Sequence, residues 1–492
     1  MPALVAGLLV FFTSAAVLVI EILAARLLAP FVGETLQTYT AIIGTILAGI
    51  AMGSWLGGKV ADRVDPRVTL GPTIMAGGAL ALATVPIVTL FGQGLGAGVS
   101  RGGPGTTIVL AFIGFFLPAT VLTAVTPMVI KVRLSSLDET GRVVGRLSAL
   151  GTAGAIAGTF VTGFLLVAAF PTRPIFLGVG GILLFSGLVV HLSLGVRREQ
   201  PIAGILILGL LGTGATSLIT SPCEIESAYY CAQVIDGLEP CDGRTLYLDT
   251  LRHSCVHPDD PMRLDFSYTQ ILSDVLASVA PGDSAIDVLH IGGGGFTMPR
   301  HVEAARPGST NLVLELDPAL VEIAEDELGL ETGPGLRVDV GDARTALSQQ
   351  PDDTYDVVIG DAFGGLAVPW HLTTREVTEQ VQRTLRPDGL YAINLIDNPP
   401  LGFARAEAAT LREVFADVAV IAPRDRLAGL DGGNFILVGS DTAVPVEAIT
   451  ASNAERGDDD QIITGAEVDA FTEGARVLTD DYAPVDQLLT PY

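Results

Sequence analysis

Near residue 221 the chain changes chemical character, and that break limits what it can fold into more than any other feature. Before it lie seven apolar stretches, near 4–24, 38–58, 69–92, 106–130, 147–170, 175–195 and 202–220, each of roughly the 20 residues a helix needs to cross a bilayer. Residues 1–220 carry twelve Arg/Lys against seven Asp/Glu, a balance of +5, whereas the whole chain of 492 residues carries −26, so the remainder holds −31. A multi-span α-helical membrane domain over 1–220 is therefore expected, followed by acidic extramembrane parts. The first stretch lacks a basic leader and six more follow, so it reads as a retained helix.

Loop charge sets an orientation. The loops after the second, fourth and sixth stretches hold Lys59, Arg63, Arg67, Lys131, Arg133, Arg142, Arg146, Arg197 and Arg198, and the other three hold Arg26, Arg101 and Arg173. By the positive-inside rule the richer loops are cytoplasmic, which with seven spans puts the acidic part on the outer face of the cell membrane. Within the spans, Glu21 with Arg26 reads either as a functional intramembrane charge or as a helix-locking pair. Gly49, Gly53 and Gly57 mark a face for close helix packing.

The only cysteines, Cys223, Cys231, Cys241 and Cys255, cluster just beyond the last stretch. An even cluster suggests two disulfides and an oxidising compartment; inert thiols or a metal site with His253 and His257 are the alternatives, the latter lacking the short C-x-x-C spacing of zinc sites. Both lysines of the chain, Lys59 and Lys131, belong to the membrane part, so the acidic part offers no basic patch for nucleic acid. Its acidity reads as adaptation to high salt, or else as a field that focuses a cationic substrate.

From residue 221 onward the pattern is β and then βα. Tyr229–Ile235 and Arg244–Asp249 flank Asp242-Gly243, a hairpin signal, so 221–280 reads as a small β-hairpin subdomain with a linking helix. Strands near 285–291, 311–316, 336–340, 355–361 and 390–395 then alternate with helical segments, which calls for a parallel doubly wound sheet. Val418–Ala422 and Asn434–Val438 read as an antiparallel edge, and the polar run Ala451–Asp460 as a surface loop. The fold expected over 281–492 is thus α/β, Rossmann-like.

Such sheets carry their chemistry at the carboxyl ends of the strands. Gly292, Gly293, Gly294 and Gly295 end the first strand, where a backbone without side chains can approach a ligand. Glu315 closes the second, 20 residues after Gly295, the spacing at which an acid meets ribose hydroxyls. Asp342 follows the third strand, placed for an adenine amino group or for helix capping. Asp361 ends the fourth, where an acid is able to accept a proton.

These residues resemble a known family, the polyamine aminopropyltransferases or spermidine synthases, and specifically their membrane-fused members. The resemblance runs through Glu226-Ser227-Ala228-Tyr229-Tyr230, Arg244 to Asp249, His253-Ser254, Ile291 to Gly295, Glu315-Leu316-Asp317, Gly341-Asp342-Ala343 and Asp361, and the ending Leu478-Thr479-Asp480-Asp481-Tyr482-Ala483-Pro484 looks like the tail of the fused proteins. It implies a class I methyltransferase-type fold and transfer of an aminopropyl group from decarboxylated S-adenosylmethionine to an amine, without a metal. Glu315 is then the ribose ligand, Asp342 and Ala343 the adenine contacts, Asp361 the proton acceptor, with Tyr230 on the donor and Tyr268 and Thr269 on the acceptor.

The chain also departs from that family. Gly295 stands where the family's glycine loop has an acid for the donor's propylamine, Gly364 where a second Asp meets the diamine, Tyr268-Thr269-Gln270 in place of Tyr-His-Glu, and Tyr230 in place of Gln. Each lost charge-assisted hydrogen bond weakens binding by about 1.5–3 kcal/mol, so the acceptor is expected to be a different small amine, or a lipid or membrane-delivered amine. Methyl transfer from S-adenosylmethionine and a non-catalytic adenosyl-binding transporter or sensor are the alternative functions. A homo-oligomer is compatible with all three.

Overall fold

Runs of Leu, Val, Ala and Gly with few charges to interrupt them form helices throughout the first part of the computed structural model, which describes residues 1–94, 104–134, 136–194, 202–365 and 367–490. Two units are distinguished, Met1–Gln233 with Leu248–Thr250, and Val234–Tyr247 with Leu251–Tyr492. In the first, six helices among the described residues are long and apolar enough to cross a membrane: Ala3–Val32, Leu36–Arg63, Pro66–Gly94, Gly105–Arg133, Thr140–Ala169 and Thr172–Ser193. The seventh apolar stretch gives a helix over Ile202–Leu218, 17 residues long. That is about 26 Å at 1.5 Å per residue, short of the ~30 Å hydrocarbon core. Arg101, Arg197 and Arg198, which enter the charge asymmetry of the loops, lie outside the described residues.

Glycines set how closely these helices approach. A Cβ on Gly53 would lie 2.1 Å from the Thr120 carbonyl oxygen, and one on Gly57 2.5 Å from that of Ala124, so the glycine face of Leu36–Arg63 packs backbone to backbone as its spacing predicts. Gly154 meets the Phe11 carbonyl in the same way, at 2.1 Å. The expected Glu21–Arg26 pair is not what forms. Five residues apart, the two side chains stand ~140° apart around the helix, and the Arg26 guanidinium turns instead to the Glu226 carboxylate at 3.2 Å and to the Ser227 carbonyl. Glu226 Oε1 in turn accepts the Thr172 N–H at 3.0 Å, capping the last long helix.

Residues 225–256 form a four-stranded sheet in chain order, β1 (Ile225–Glu226), β2 (Cys231–Asp236), β3 (Arg244–Leu248) and β4 (Leu251–Val256). The predicted hairpin is its β2–β3 centre. The cysteines pair as Cys223–Cys231 and Cys241–Cys255, which removes the metal alternative built on them.

The second unit is built on an eight-stranded sheet of β5 (Asp287–Ile291), β6 (Thr310–Glu315), β7 (Leu336–Val340), β8 (Tyr355–Gly360), β9 (Leu385–Asp397), β10 (Asp417–Ala422), β11 (Gly433–Ser440) and β12 (Gln461–Thr464), in the order β12-β10-β11-β9-β8-β5-β6-β7. Strands β7, β6, β5, β8 and β9 run parallel, each joined to the next in sequence through a helix. β11, β10 and β12 complete it antiparallel. The first seven of these eight strands were predicted. β12 was not, and the segment read as a surface loop is mostly the helix Val446–Arg456; Ile449, buried against the sheet, anchors it while its acids and amides face outward. One sheet face is covered by helices including Arg375–Thr384 and Gly402–Val414, the other by Ser267–Val279 and Thr297–Ala305. Strand order reverses between β5 and β8, so a crevice opens at their carboxyl ends.

Candidate active site

The loop after β5 follows from what its neighbours leave free. Gly292, at φ 96°, has the backbone of Asp361 so close that a Cβ would sit 2.6 Å from its carbonyl oxygen. Gly294, at φ 51°, is likewise crowded by His253, 2.9 Å from a Cβ. Glu315, buried at the end of the neighbouring strand β6, holds this loop: Oε2 accepts the N–H of Gly293 at 2.8 Å and of Gly294 at 3.3 Å, and Oε1 accepts that of Asp317 at 2.9 Å. Burial raises the Glu315 carboxyl above its ordinary range, opposed by those three amides.

Gly295 completes the turn by donating to Ser254 Oγ at 3.0 Å. A side chain there would collide, its Cβ lying 2.7 Å from Ser254 Cβ and 2.9 Å from Val256 Cγ2. The next residue, Phe296, adopts φ 55° and is fully buried, its ring lying against Gly293. A left-handed backbone on so bulky a residue costs about 1–2 kcal/mol, which its buried ring offsets. Neither Ser254 nor Phe296 was identified as a site residue from sequence.

Asp361, one strand over, faces the same space. Its Oδ1 accepts the Asn394 amide at 2.8 Å, and the buried Tyr268 hydroxyl donates to the same carboxylate. Asn394 is itself held by Asn434 Nδ2 at 2.9 Å. Burial pushes the Asp361 carboxyl up to about 6, against the pull of Asn394 and Tyr268. His253 and His290 are driven down to about 4 by burial and are neutral at pH 7. Asp361, Tyr268, His253, His290, Ser254 and the glycines line a small cavity of about 10 Å³, room for about one water.

On the far side the cleft is open, with Leu316 and Val340 exposed beside Glu315 and Asp342. Asp342 caps the helix Ala343–Ser348 through Thr345 N–H at 2.8 Å, and its other oxygen lies 3.5 Å from His371 Nε2. Against a burial cost, the Thr345 bonds and the charges of His371 and Arg344 hold it below the usual carboxyl range.

Gly292–Gly295, Glu315 and Asp361 are thus brought together, with Asp342 and Ala343 along the open cleft. Thr269 turns away, donating to the Phe266 carbonyl at 2.7 Å. Tyr230 lies in the turn joining β1 to β2, in the first unit. Gly364 has only Pro369 and Ala367, 3.8 Å and 4.0 Å from a Cβ, so the place is open and holds no acid.

A mixed sheet whose five parallel strands reverse order between β5 and β8, with the candidate site at that reversal, defines a Rossmann-like domain. Among known proteins, the chain is 26% identical over 249 residues to a polyamine aminopropyltransferase of Vibrio vulnificus, covering 48% of this chain and 80% of that protein. It is 33% identical over 165 residues to polyamine aminopropyltransferase 2 of Streptomyces coelicolor, covering 31% of this chain and 29% of that protein, so the span of the Streptomyces relative that is matched is well under two thirds. A crystal structure of a probable spermidine synthase from Corynebacterium glutamicum aligns at 30% identity and a TM-score of 0.49 over 55% of this chain and 100% of the other. No protein-family model matches. The chain is a spermidine synthase-like protein.

Proposed function

We propose that this protein is a membrane-fused aminopropyltransferase that moves the aminopropyl group of decarboxylated S-adenosylmethionine to an amine and leaves methylthioadenosine. The observation that carries the reading is Asp361: a carboxylate at the head of the cavity, beside the glycine loop, with a pKa near 6. At neutral pH it is ionised yet only weakly satisfied by Asn394 and Tyr268, which suits a proton acceptor. The amine lone pair forms the new bond to the propyl carbon, the carbon–sulfur pair returns to sulfur and cancels the sulfonium charge, and the ammonium proton passes to Asp361. A carboxylate at that point stabilises the cation that develops on nitrogen.

Glu315 would hold the ribose. It accepts three amide bonds, and a carboxylate has about four acceptor positions, so a hydroxyl either uses the remaining one or displaces the long Gly294 contact. Asp342 with Ala343 would receive adenine in the open cleft. The acceptor is a small or membrane-delivered amine, and the two disulfides support an outer-face location for the acidic domain, to which the loop charges add only where Ile202–Leu218 crosses as a seventh span. Methyl transfer is the second reading, favoured by Gly295, whose backbone offers no carboxylate to select the decarboxylated donor.

Calorimetric titration of the detergent-purified chain in high salt with methylthioadenosine, S-adenosylmethionine and its decarboxylated form tests this. Tighter binding of methylthioadenosine and the decarboxylated donor, lost in Glu315→Ala, is expected. A preference for intact S-adenosylmethionine would replace the proposal with methyl transfer.

A further inference from the structure

The carboxy-terminal run Leu478–Pro484 is far in sequence from every residue assigned above, yet it is built into the second unit beside the open cleft. Leu478 is fully buried; its N–H donates to Thr410 Oγ1 at 2.9 Å and its carbonyl accepts the Arg375 N–H at 2.9 Å. Thr479 and Tyr482 exchange backbone bonds of 3.0 Å and 2.9 Å, closing a turn that projects Asp480. The Asp480 carboxylate takes the Arg344 guanidinium at 2.5 Å and the Thr374 hydroxyl at 2.8 Å, while its N–H donates to Glu376 Oε2 at 3.0 Å. Both carboxylate oxygens and the N–H of this residue are therefore committed.

Arg344 sits two residues after Asp342 on the first turn of the helix that Asp342 caps. Its second nitrogen donates to the His371 carbonyl at 3.0 Å, and the His371 ring lies 3.5 Å from the Asp342 carboxylate. A continuous polar chain thus leads from Asp480 through Arg344 and His371 to Asp342. It restrains both the residue with the best position for an adenine amino group and the Trp370–Leu372 turn beside it. A planar guanidinium bonded on two sides holds direction as well as charge, which a flexible ammonium would not.

We infer that Asp480 and Arg344 are positioning residues of the donor site: the tail, through Arg344 and His371, fixes the orientation of Asp342 and so sets the preference for a 6-aminopurine. The inference rests on the adenosyl reading above. A tail that served only to close the hydrophobic core would need Leu478, but it would not need a fully bonded carboxylate on the one arginine that also holds His371.

The test compares binding of methylthioadenosine and of its 6-oxo counterpart, methylthioinosine, to the full chain by calorimetry, with thermal unfolding alongside. Wild type binds the 6-amino compound more tightly. Asp480→Asn and Arg344→Met lose roughly fivefold to tenfold in affinity for it, less than a whole charge-assisted hydrogen bond because Asp342 is misaligned and not removed, and the ratio between the two nucleosides falls toward one. The exchanged pair Asp480→Arg with Arg344→Asp recovers part of that ratio. Should Asp480→Asn not fold, Arg344→Lys answers alone, because it keeps the charge opposite Asp480 and loses the fixed bond to His371, and a reduced ratio is again expected. Folded variants that keep the wild-type ratio overturn the inference. Wild type that binds neither nucleoside overturns the adenosyl reading beneath it.

Discussion

Asp361 Oδ1 lies 2.8 Å from Asn394 Nδ2, a bond that joins the carboxyl ends of the adjacent parallel strands β8 and β9. The amide favours the charged carboxylate and so works against burial, which has pushed this acid up to about 6. Asn394→Leu removes the donor. We expect the acidic limb of the pH–rate profile, which rises as Asp361 loses its proton, to move to higher pH, with activity lost near pH 6 and partly regained at pH 8. An unmoved limb would mean that another group controls it.

The same shift has a stability sign. Because the folded pKa of Asp361 is raised above its ordinary value of 3.8, its contribution is fully present below that value and is lost as pH rises through about 6. Asp361→Asn removes this dependence, so the variant's unfolding temperature will exceed wild type more at pH 7 than at pH 4, while turnover falls by roughly 10²–10⁴-fold. Thermal scans across that window check the first statement and product release the second.

Restoring an acid in the glycine loop will not restore an ordinary donor grip. Gly295→Asp brings a Cβ to 2.7 Å from Ser254 Cβ and 2.9 Å from Val256 Cγ2 and displaces Ser254 Oγ from the Gly295 N–H. Overpacking of this kind costs about 1–3 kcal/mol. Denaturant titration will show the loss, and calorimetry will show no tighter binding of the decarboxylated donor.

Cys241–Cys255 ties the hairpin turn to β4, with a sequence separation of 14 residues. Ser254, next to it, holds the Gly295 N–H, and the Cys255 carbonyl accepts Thr297 Oγ1 at 3.3 Å. Replacing both cysteines by serine will lower stability by about 3 kcal/mol and weaken methylthioadenosine binding as well, since the strand behind the glycine loop loosens. Binding unchanged in a destabilised variant would confine the disulfide to a fold role.

How much of this was legible in the sequence depends on whether a residue's role is local. Gly292–Gly295, Glu315, Asp342 and Asp361 each end a strand or open a helix, so periodicity alone places them at one edge of a parallel sheet. Asn394 is different. It lies toward the carboxyl end of β9 and meets Asp361 only because Gly360 pairs with Ile393, a register that no single segment encodes. Phe296 breaks a local rule, since its left-handed backbone belongs to glycine by propensity. The β12 strand and its preceding helix were missed because acidic outer faces hide a short apolar stripe, of which Ile449 is the buried member in the helix. Asp480 was visible as part of a motif, but its partner Arg344 lies 136 residues away.

The central claim is that the acid at the end of β8 accepts a proton during transfer of an aminopropyl group. The most direct measurement incubates the detergent-purified full chain, in high salt, with decarboxylated S-adenosylmethionine labelled in the propyl group and a panel of amines, and follows methylthioadenosine release and the fate of the label in wild type and Asp361→Asn. Equal amounts of methylthioadenosine and labelled amine from wild type, absent from the variant although it still binds methylthioadenosine, is the predicted result. Release of S-adenosylhomocysteine from intact S-adenosylmethionine in place of any labelled amine, or equal turnover by the variant, would contradict it.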